Sequence, residues 1–576
     1  MKNQEIADIF YQTAELLSLN AENPFRIRAY EKAAETIESL PESIETILQE
    51  NRLKKIPGIG EATAEKIKEY IETGKMKYFE DLKKEYPEGI LEIMHVPGVG
   101  PKKARIIFDK LKIADIKELK TAALEGKLQN LPGFGAKTEQ NILKGIALKQ
   151  SIKGRTLLYN ANLVAEAIIL QLIKLKEIKN ISPAGSLRRK KETVGDIDIL
   201  CTVEKGKEHH VIEKFNSLSA PEKVQAKGTT KASIITEENQ QVDLRVVEPV
   251  SFGAALQYFT GSKEHNIALR EIAAKKGYIL NEYGLFKTKN KKTPVAGKTE
   301  TEIYEALGLQ FIPPELREDR GEIESAQNKT IPKLIEEKDI RGDTHLHTRY
   351  SDGANTVEEV AQKAIALGYE WIIICDHSQS LKIANGVSIT DLRRKLDEIY
   401  NYNAKYGDIK IIAGQEVDIL ADGSLDYPDE ILKNLDFVNV SIHTGFKETE
   451  KQITDRVLRA FDNKYVHSLS HPTGRLIGKR AAYAIDMDKV LNKAKENGIF
   501  LEINSYPERL DLTDIYCKKA KDMDIKIVIG TDAHKVIHMD YMHLGINVAR
   551  RGWLTKDDVL NTISYNELMK SLKKRR

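Results

Sequence analysis

After Ile340 the chain repeats one unit, a short apolar run followed by a helix-like segment, and this alternation limits the fold more than any other feature. The runs are Trp371–Cys375, Ile409–Ala413, Phe437–Val440, Ile499–Ile503 and Lys526–Ile529. Strands alternating with helices in this way predict an α/β barrel. Nine of the thirteen histidines lie in the same stretch. Most fall just past the end of a predicted strand, where barrel sites are built. The motifs are Asp343-Thr344-His345-Leu346-His347 with Asp352, Asp376-His377, Glu416 in Gly-Gln-Glu-Val-Asp, His443 in Ser-Ile-His, His471 in Ser-His-Pro, and Asp532 with His534 in Gly-Thr-Asp-Ala-His. A lone histidine in such a place is an ordinary core or surface residue. Six separate motifs point instead to metal binding, and His-x-His at a strand end sets two imidazoles on one side.

A second concentration of chemistry lies between Gly185 and Leu200. Asp196 and Asp198 flank one apolar residue in an Ile-rich run that reads as a strand. Side chains two apart on a strand share a face, so the carboxylates converge and need a counter-charge. A hard divalent cation held by oxygen ligands supplies it. Upstream, Gly185 and Ser186 offer close backbone approach and a hydroxyl, and Arg188 and Arg189 offer fork donors for phosphate. This pairing suits phosphoryl or nucleotidyl transfer with two metals.

The first 150 residues are rich in Ala, Glu, Lys, Ile and Leu at helical spacing. Three turns punctuate them, Ile56-Pro57-Gly58-Ile59-Gly60, Val96-Pro97-Gly98-Val99-Gly100 and Leu131-Pro132-Gly133-Phe134-Gly135. Each reads as helix, tight hairpin, helix, with glycines at positive φ and backbone N–H groups facing outward. Such donors at a helix start suit a phosphate oxygen, as in sequence-independent DNA binding. The net charge is only +3, so any grip on nucleic acid is local. Cys201, Cys375 and Cys517 have no paired spacing, which fits a reducing cytoplasm and argues against cysteine zinc sites. Glu5 and Asp8 interrupt any signal peptide, and no apolar stretch approaches the ~20 residues that span a bilayer. The polar stretch from Pro313 to Asp339 reads as a linker with some helix.

Gly-Ser followed by Gly-Asp-x-Asp resembles the nucleotidyltransferase signature of the DNA polymerase beta-like superfamily. The resemblance implies a third carboxylate, supplied by Asp243 in Gln-Gln-Val-Asp-Leu-Arg-Val-Val. Tyr258-Phe259-Thr260-Gly261-Ser262 resembles the nucleotide pocket of family X DNA polymerases, whose aromatic pair disfavours a 2′-hydroxyl. Asn266 and Arg270 fall where that family contacts the minor groove and incoming nucleotide, and Gly277-Tyr278 through Asn281-Glu282-Tyr283-Gly284 continues the match. Lys263 departs from the vertebrate acid there and could help to hold a triphosphate. The histidine-rich stretch resembles the PHP (polymerase and histidinol phosphatase) domain. That likeness implies three metals: one on His345, His347, Glu416 and Asp532, one on Glu416, His443 and His471, and one on Asp352, His377 and His534. A metal-bound water would be the nucleophile.

Together these features resemble bacterial and archaeal family X polymerases that carry a PHP domain. The implied fold is multidomain: a helical lyase-like domain (1–86), fingers with helix-hairpin-helix motifs (87–150), an α+β palm (151–262), a thumb (263–316), a linker (317–339) and a distorted TIM-like barrel (340–576). The implied function is gap filling in DNA repair, with 3′–5′ exonuclease and abasic-site endonuclease activity in the barrel. Expected substrates are dNTP and gapped or primer-template DNA. Expected cofactors are Mg²⁺ at the carboxylates and Mn²⁺ or Zn²⁺ at the barrel. A monomer in the cytoplasm, associated with the nucleoid and free of membrane, completes the expectation. Lys66 matches a Schiff-base lysine of the lyase domain and Tyr30 a supporting tyrosine, although Ala62 replaces a vertebrate lysine. Arg26 and Arg28 are candidate contacts for a 5′-phosphate. Two alternatives stand beside this reading, a non-catalytic DNA-binding scaffold and a phosphoesterase acting on a small molecule.

Overall fold

The computed structural model describes residues 2–38, 40, 43–56, 58–151, 154–220, 223–237, 239–289 and 292–573. Pro57 of the first turn therefore lies outside the described residues. The chain forms two compact units, Met1–Lys153 with Gly478–Ala481, and Gly154–Ile477 with Ala482–Arg576. Among the described residues no helix is long and apolar enough to cross a membrane, and all three cysteines are buried and unpaired.

The first unit is helical, with two cores. One gathers Ile6, Phe10, Leu17, Ile37 and Ile67, and the other Ile93, Ile107, Leu119 and Ile142. On the helix Lys2–Leu19 the residues Ile6, Phe10 and Leu17 recur at helical spacing and so share the buried face. The turn glycines do not behave alike. Gly58, Gly98 and Gly133 hold φ of +94°, +91° and +78°, but of the second glycines only Gly100 does so, at +65°. Gly60 instead caps the helix Glu61–Thr73 with φ of −79°. A Cβ built on Gly60, Gly100, Gly133 or Gly135 meets nothing within 4 Å. Internal packing therefore does not demand glycine there, and these turns leave open space over the backbone.

The second unit opens with a five-stranded sheet in the order Ile178–Pro183, Ile197–Val203, Gln241–Val246, Lys231–Ile235, Val224–Lys227. Only Ile197–Val203 and Gln241–Val246 run parallel. Helices Phe252–Thr260 and Lys263–Lys275 follow, hinged at Gly261–Ser262. The stretch expected as a polar linker is instead packed. Arg317 and Glu322 are fully buried, and Ile335 is core. Its charges are matched inside the protein: Arg317 bonds Glu300 at 2.5 Å, and Glu322 meets His265, which also reaches the Tyr304 hydroxyl at 2.9 Å. Composition marks such a run as solvated because pairing partners elsewhere in the chain are not visible in it.

The C-terminal part is a seven-stranded parallel sheet in sequence order, Gly342–Leu346, Trp371–Ile374, Lys410–Asp418, Phe437–Ser441, Ser468–Leu469, Phe500–Asn504 and Ile527–Gly530. It nearly closes, since Leu346 bridges Ala533 and Thr344 Oγ1 donates to the Ile529 carbonyl at 2.9 Å. Gly342 makes the first strand fit, because a Cβ there would lie 2.2 Å from the Trp371 oxygen. Two strands escape the apolar pattern, the first because it carries Asp343 and His345, the fifth because it is two residues long. Arg551 ties this barrel to the loop that follows the strand Ile178–Pro183 and to Glu318, donating to the Arg189 carbonyl and to Glu318 while also holding Asp514 of the barrel, and Arg475 pairs with Glu192 at 2.7 Å.

Glu300 receives both Arg317 and a fork from Arg188 at 2.6 and 2.8 Å. Burial opposes its charge, but the two guanidiniums outweigh that and hold its pKa down to about 2. Glu300→Gln leaves buried cations uncompensated and should cost about 3–5 kcal/mol of stability in denaturant titration at pH 7. A depressed folded pKa gives stability that is present above the ordinary value of 4.5 and lost towards 2. The parental and variant curves should therefore converge as pH falls through that window.

Candidate functional site

Two groups of ionisable side chains lie in the second unit. In the palm, Asp198 and Asp243 occupy register-paired positions on the two parallel strands. Asp196 stands exposed just before its strand. Burial, then the neighbouring Asp243, raises the Asp198 pKa to about 6, so its charge calls for a cation. Lys231 approaches Asp243 at 3.5 Å and Gln241 donates to it at 3.0 Å. Gly185, at φ of +61°, packs on Asp198, where a Cβ would come within 2.7 Å of Oδ2. Among the described residues the three aspartates are not a group whose ligand atoms all lie within 4.8 Å.

The arginines of this loop differ from expectation. Arg188 forks onto Glu300 and reaches Thr260 Oγ1 at 2.7 Å. Arg189 bonds Glu318 at 3.0 Å and the Thr260 carbonyl at 2.5 Å. Both guanidiniums thus fasten the loop to the helix Phe252–Thr260 rather than facing solvent as a phosphate clamp. Ser186 stays partly exposed beside them. Tyr258 and Phe259 meet edge to face at 5.1 Å, with Arg245 at 4.4 Å over the Phe259 ring. Asn266 donates to the Tyr258 carbonyl at 2.7 Å and accepts from Gln257, so its amide orients that tyrosine. Ser262 caps the next helix, whose exposed Lys263 and Arg270 face solvent.

In the barrel every expected ligand converges. Their burial grades from His345, His347, Glu416, His471 and Asp532 inside to Asp352 and His534, both 30% exposed, at the mouth. Ligand atoms gather within 4.8 Å as His345, His347 and Asp532, as His377, Glu416 and His443, and as His347, Asp352, His377 and His534. These groups overlap the expected sets without matching them: Glu416 falls outside the first and His471 outside the second, while His377 joins the second and His347 the third. Glu416 is central, 2.7 Å from His377, 3.1 Å from His471, 3.5 Å from His443, and 3.6 and 3.9 Å from His345 and His347. His345 and His347 bring their Nε2 atoms to 3.0 Å. Yet His347 Nδ1, His377 Nδ1, His471 Nδ1 and Glu416 Oε2 are buried without a hydrogen bond. Imidazole and carboxylate atoms brought this close, and left unsatisfied, fit transition-metal cations.

A second ring of residues orients these ligands; Asp418 and Ser470 belong to the sequence motifs, whereas Glu502, Asn439 and Asn504 do not. Glu502 accepts from His345 Nδ1 at 2.8 Å and is held by Asn439, Ser470 and Asn504. Asp418 meets His443 Nδ1 at 2.6 Å. Burial opposes a charge on His345, but Glu502, Glu416 and Asp532 push its pKa well above the usual value. Gly530 leaves the room, because a Cβ there would lie 2.4 Å from that of His345. Arg509 reaches Asp532 at 3.3 Å, and its Nη1 is buried with no partner. Asp376 instead binds Thr348, Ser351 and the buried Lys395, which anchors the loop before Asp352. The readable signal for Glu502 is a carboxylate at the centre of an apolar strand.

In the first unit, Lys66 lies 5.5 Å from the Tyr78 ring centre and bonds the Ala62 carbonyl at 3.2 Å. Arg26 donates to the Tyr78 hydroxyl at 2.7 Å, and Tyr30 stacks on the same ring at 6.1 Å. Arg28 is exposed.

The family model for a helix-hairpin-helix domain matches residues 1–76, and that for a SAM-like helix-hairpin-helix tandem matches 90–147. The DNA polymerase beta thumb matches 255–318 and the PHP domain 343–506. Along 100% of both chains the sequence is 38% identical to the DNA polymerase/3′-5′ exonuclease PolX of Bacillus subtilis (strain 168). A probable phosphatase of Thermoanaerobacter sp. (strain X514) is 34% identical over 38% of this chain and 89% of its own. A probable phosphatase of Acetivibrio thermocellus is 34% identical over 33% of this chain and 78% of its own.

If Glu502 fixes the tautomer and direction of His345, Glu502→Gln should weaken metal binding about 10–100-fold. Competition between the protein and a chelating dye for Mn²⁺ or Zn²⁺ measures this, with melting profiles to establish that the barrel stays folded.

Proposed function

The chain belongs to the PolX family of DNA polymerases, and we propose that it fills short gaps in DNA at the palm and removes 3′-terminal nucleotides at the barrel. The observation that carries this reading is the presence of two ligand sets of different chemistry, one of oxygen only and one rich in imidazole. Asp196, Asp198 and Asp243 would hold Mg²⁺, with gapped or primer-template DNA and dNTP as substrates. Cations bound there supply the charge that stabilises a pentacovalent phosphate. The chain's own residues position the reactants. Asp243 helps to take the proton of the primer 3′-hydroxyl. Gly185 lets a phosphate approach the backbone beside Asp198, and Tyr258 and Phe259 stand where the sugar is read.

At the barrel, Mn²⁺ or Zn²⁺ would lie on the nine ligands and lower the pKa of a bound water. Arg509 holds a donor ready for a phosphate oxygen. Abasic-site cleavage at the same centre and lyase chemistry at Lys66 extend the proposal, with Arg26, which shares the Tyr78 ring with Lys66, and the exposed Arg28 as candidates to meet a 5′-phosphate. The protein would work in the cytoplasm on the nucleoid as a monomer. A second reading has the barrel acting on a small phosphate ester, and the phosphatase-named relatives that cover it favour that. Faster hydrolysis of p-nitrophenyl phosphate than of a DNA 3′ end would select it.

The two chemistries should separate. Asp198→Ala should reduce primer extension to background while 3′ degradation continues. His345→Ala with His347→Ala should do the reverse and lower metal content. Extension and degradation of one labelled gapped DNA, with and without nucleotides, measures both. A folded double variant that still degrades 3′ ends at the parental rate would remove the nuclease from the barrel.

The hairpins should grip phosphates through backbone amides, so binding should be independent of sequence and weaken with salt. Gly98→Val with Gly100→Val should raise the Kd for gapped DNA and flatten the salt slope by about one unit per lost phosphate contact. Circular dichroism checks that the helices persist. A 5′-phosphate at the gap should tighten binding in the same titration.

A further inference from the structure

Four aromatic rings gather in one cluster that is linked to Asp532 through Tyr506 and Asn504, and none of them is an expected ligand. Tyr506 donates its N–H to Asn504 Oδ1 at 3.0 Å, and Asn504 Nδ2 in turn bonds Asp532 at 3.0 Å. His538 follows His534 by four residues, on the turn Val536–Tyr541. Its ring stacks on Tyr541 at 5.2 Å with an interplanar angle of 14°, and meets Tyr506 at 5.6 Å. Tyr506 and Tyr541 are 5.6 Å apart, nearly perpendicular. The fourth ring comes from the palm: Tyr159, on the helix Leu158–Leu172, meets Tyr541 at 5.1 Å.

All four rings are partly exposed, and Ile537 on the same turn is 60% exposed. A purely structural cluster would be covered and satisfied, but here His538 Nδ1 is buried with no partner. Burial, then Lys535 and His534, lowers the His538 pKa to about 4, so the ring is a neutral flat surface near pH 7. The turn that presents Tyr506 also carries Arg509, whose N–H bonds the Tyr506 carbonyl at 2.8 Å. Tyr506 of the aromatic cluster and Arg509, whose buried Nη1 has no partner, therefore stand on one turn, and Arg509 reaches Asp532. A nucleotide has the same two parts, a base and a phosphate.

We propose that Tyr506, His538 and Tyr541, backed by Tyr159, form a stacking platform for an unpaired nucleobase at the 3′ end of a DNA strand. Every base has a π face, so the platform is indifferent to sequence but requires a base that has left its duplex. It makes the barrel prefer frayed or single-stranded ends. This deepens the proposed exonuclease reading and rests on it for the identity of the strand.

The test compares two oligonucleotides that end in the same number of phosphodiesters, one with a thymidine tail and one with a tail of baseless tetrahydrofuran units. The parental protein should degrade the thymidine tail faster. Tyr506→Ala with Tyr541→Ala should lower the ratio of the two kcat/KM values about 5–150-fold, the range expected for one lost stacking contact. Tyr506→Phe with Tyr541→Phe should keep the ratio. An unchanged ratio in the alanine pair, or an equal loss on both tails, overturns the platform. Binding gives a readout independent of hydrolysis: a 3′-terminal 2-aminopurine, behind a cleavage-resistant phosphorothioate, should lose fluorescence on the parental protein and recover it on the alanine pair. If the parental protein degrades no DNA end, the exonuclease reading fails, and this quenching alone decides whether the platform exists. Equal quenching by both proteins overturns it.

Discussion

Carboxylates taken out of water govern this structure, because each needs a cation close by or must give up its charge. The chain answers in two ways. At Glu300 the cations are its own, two guanidiniums that lock the palm loop and the thumb together. At Glu416 the neighbours are five imidazoles whose nearest atoms are in part left without hydrogen bonds. The first arrangement gives both carboxylate oxygens a guanidinium partner. The second has donor atoms to spare, and that surplus distinguishes a place prepared for metal from an ordinary buried ion pair. Asp198 and Asp243 form an intermediate case, paired in register and offset in part by Lys231, 3.5 Å from Asp243, and by Arg245.

Much of this was legible in the sequence. Five of the seven barrel strands are the apolar runs, and most of the histidine motifs follow a strand end, whereas Glu416 lies within the strand Lys410–Asp418. Strand periodicity set Asp196 and Asp198 on one face, but Asp196 stands exposed ahead of the strand, and the register partner of Asp198 is Asp243, which the polymerase beta-like resemblance supplied. What stayed hidden depends on contacts between distant positions. Arg188 and Arg189 look like phosphate ligands until Glu300 and Glu318 arrive from over a hundred residues away. Glu322 looks solvated until His265 covers it. Glu502 could have been suspected, since a lone acid inside Phe500–Asn504 breaks an apolar run. The turn glycines show a subtler limit: Gly60 and Gly100 occupy equivalent motif positions but opposite signs of φ.

The two centres use different donors and yet share supporting structure. The loop Gly185–Asp196 bears on the palm carboxylates at one end and pairs through Glu192 with Arg475 at the other. Arg475 also bonds the carbonyls of Arg509 and Leu510, and Arg509 reaches Asp532. A continuous run of hydrogen bonds and ion pairs therefore joins the loop beside Asp198 to Asp532 of the barrel.

Trp553 carries a practical consequence. It belongs to the barrel's end of the chain, but its ring packs among Leu316, Ile331 and Leu334, and Ile335 donates a backbone hydrogen bond to the carbonyl of Leu554. A truncation that begins at Ile340 would strip that cover, leave an indole bare and free Arg550 and Arg551 from Glu315 and Glu318. Such a fragment would be sticky and aggregation-prone even with its strands intact. Recombinant excision of the barrel should therefore start upstream of Pro313, or replace the tryptophan with a polar residue, if a soluble, well-behaved piece is wanted.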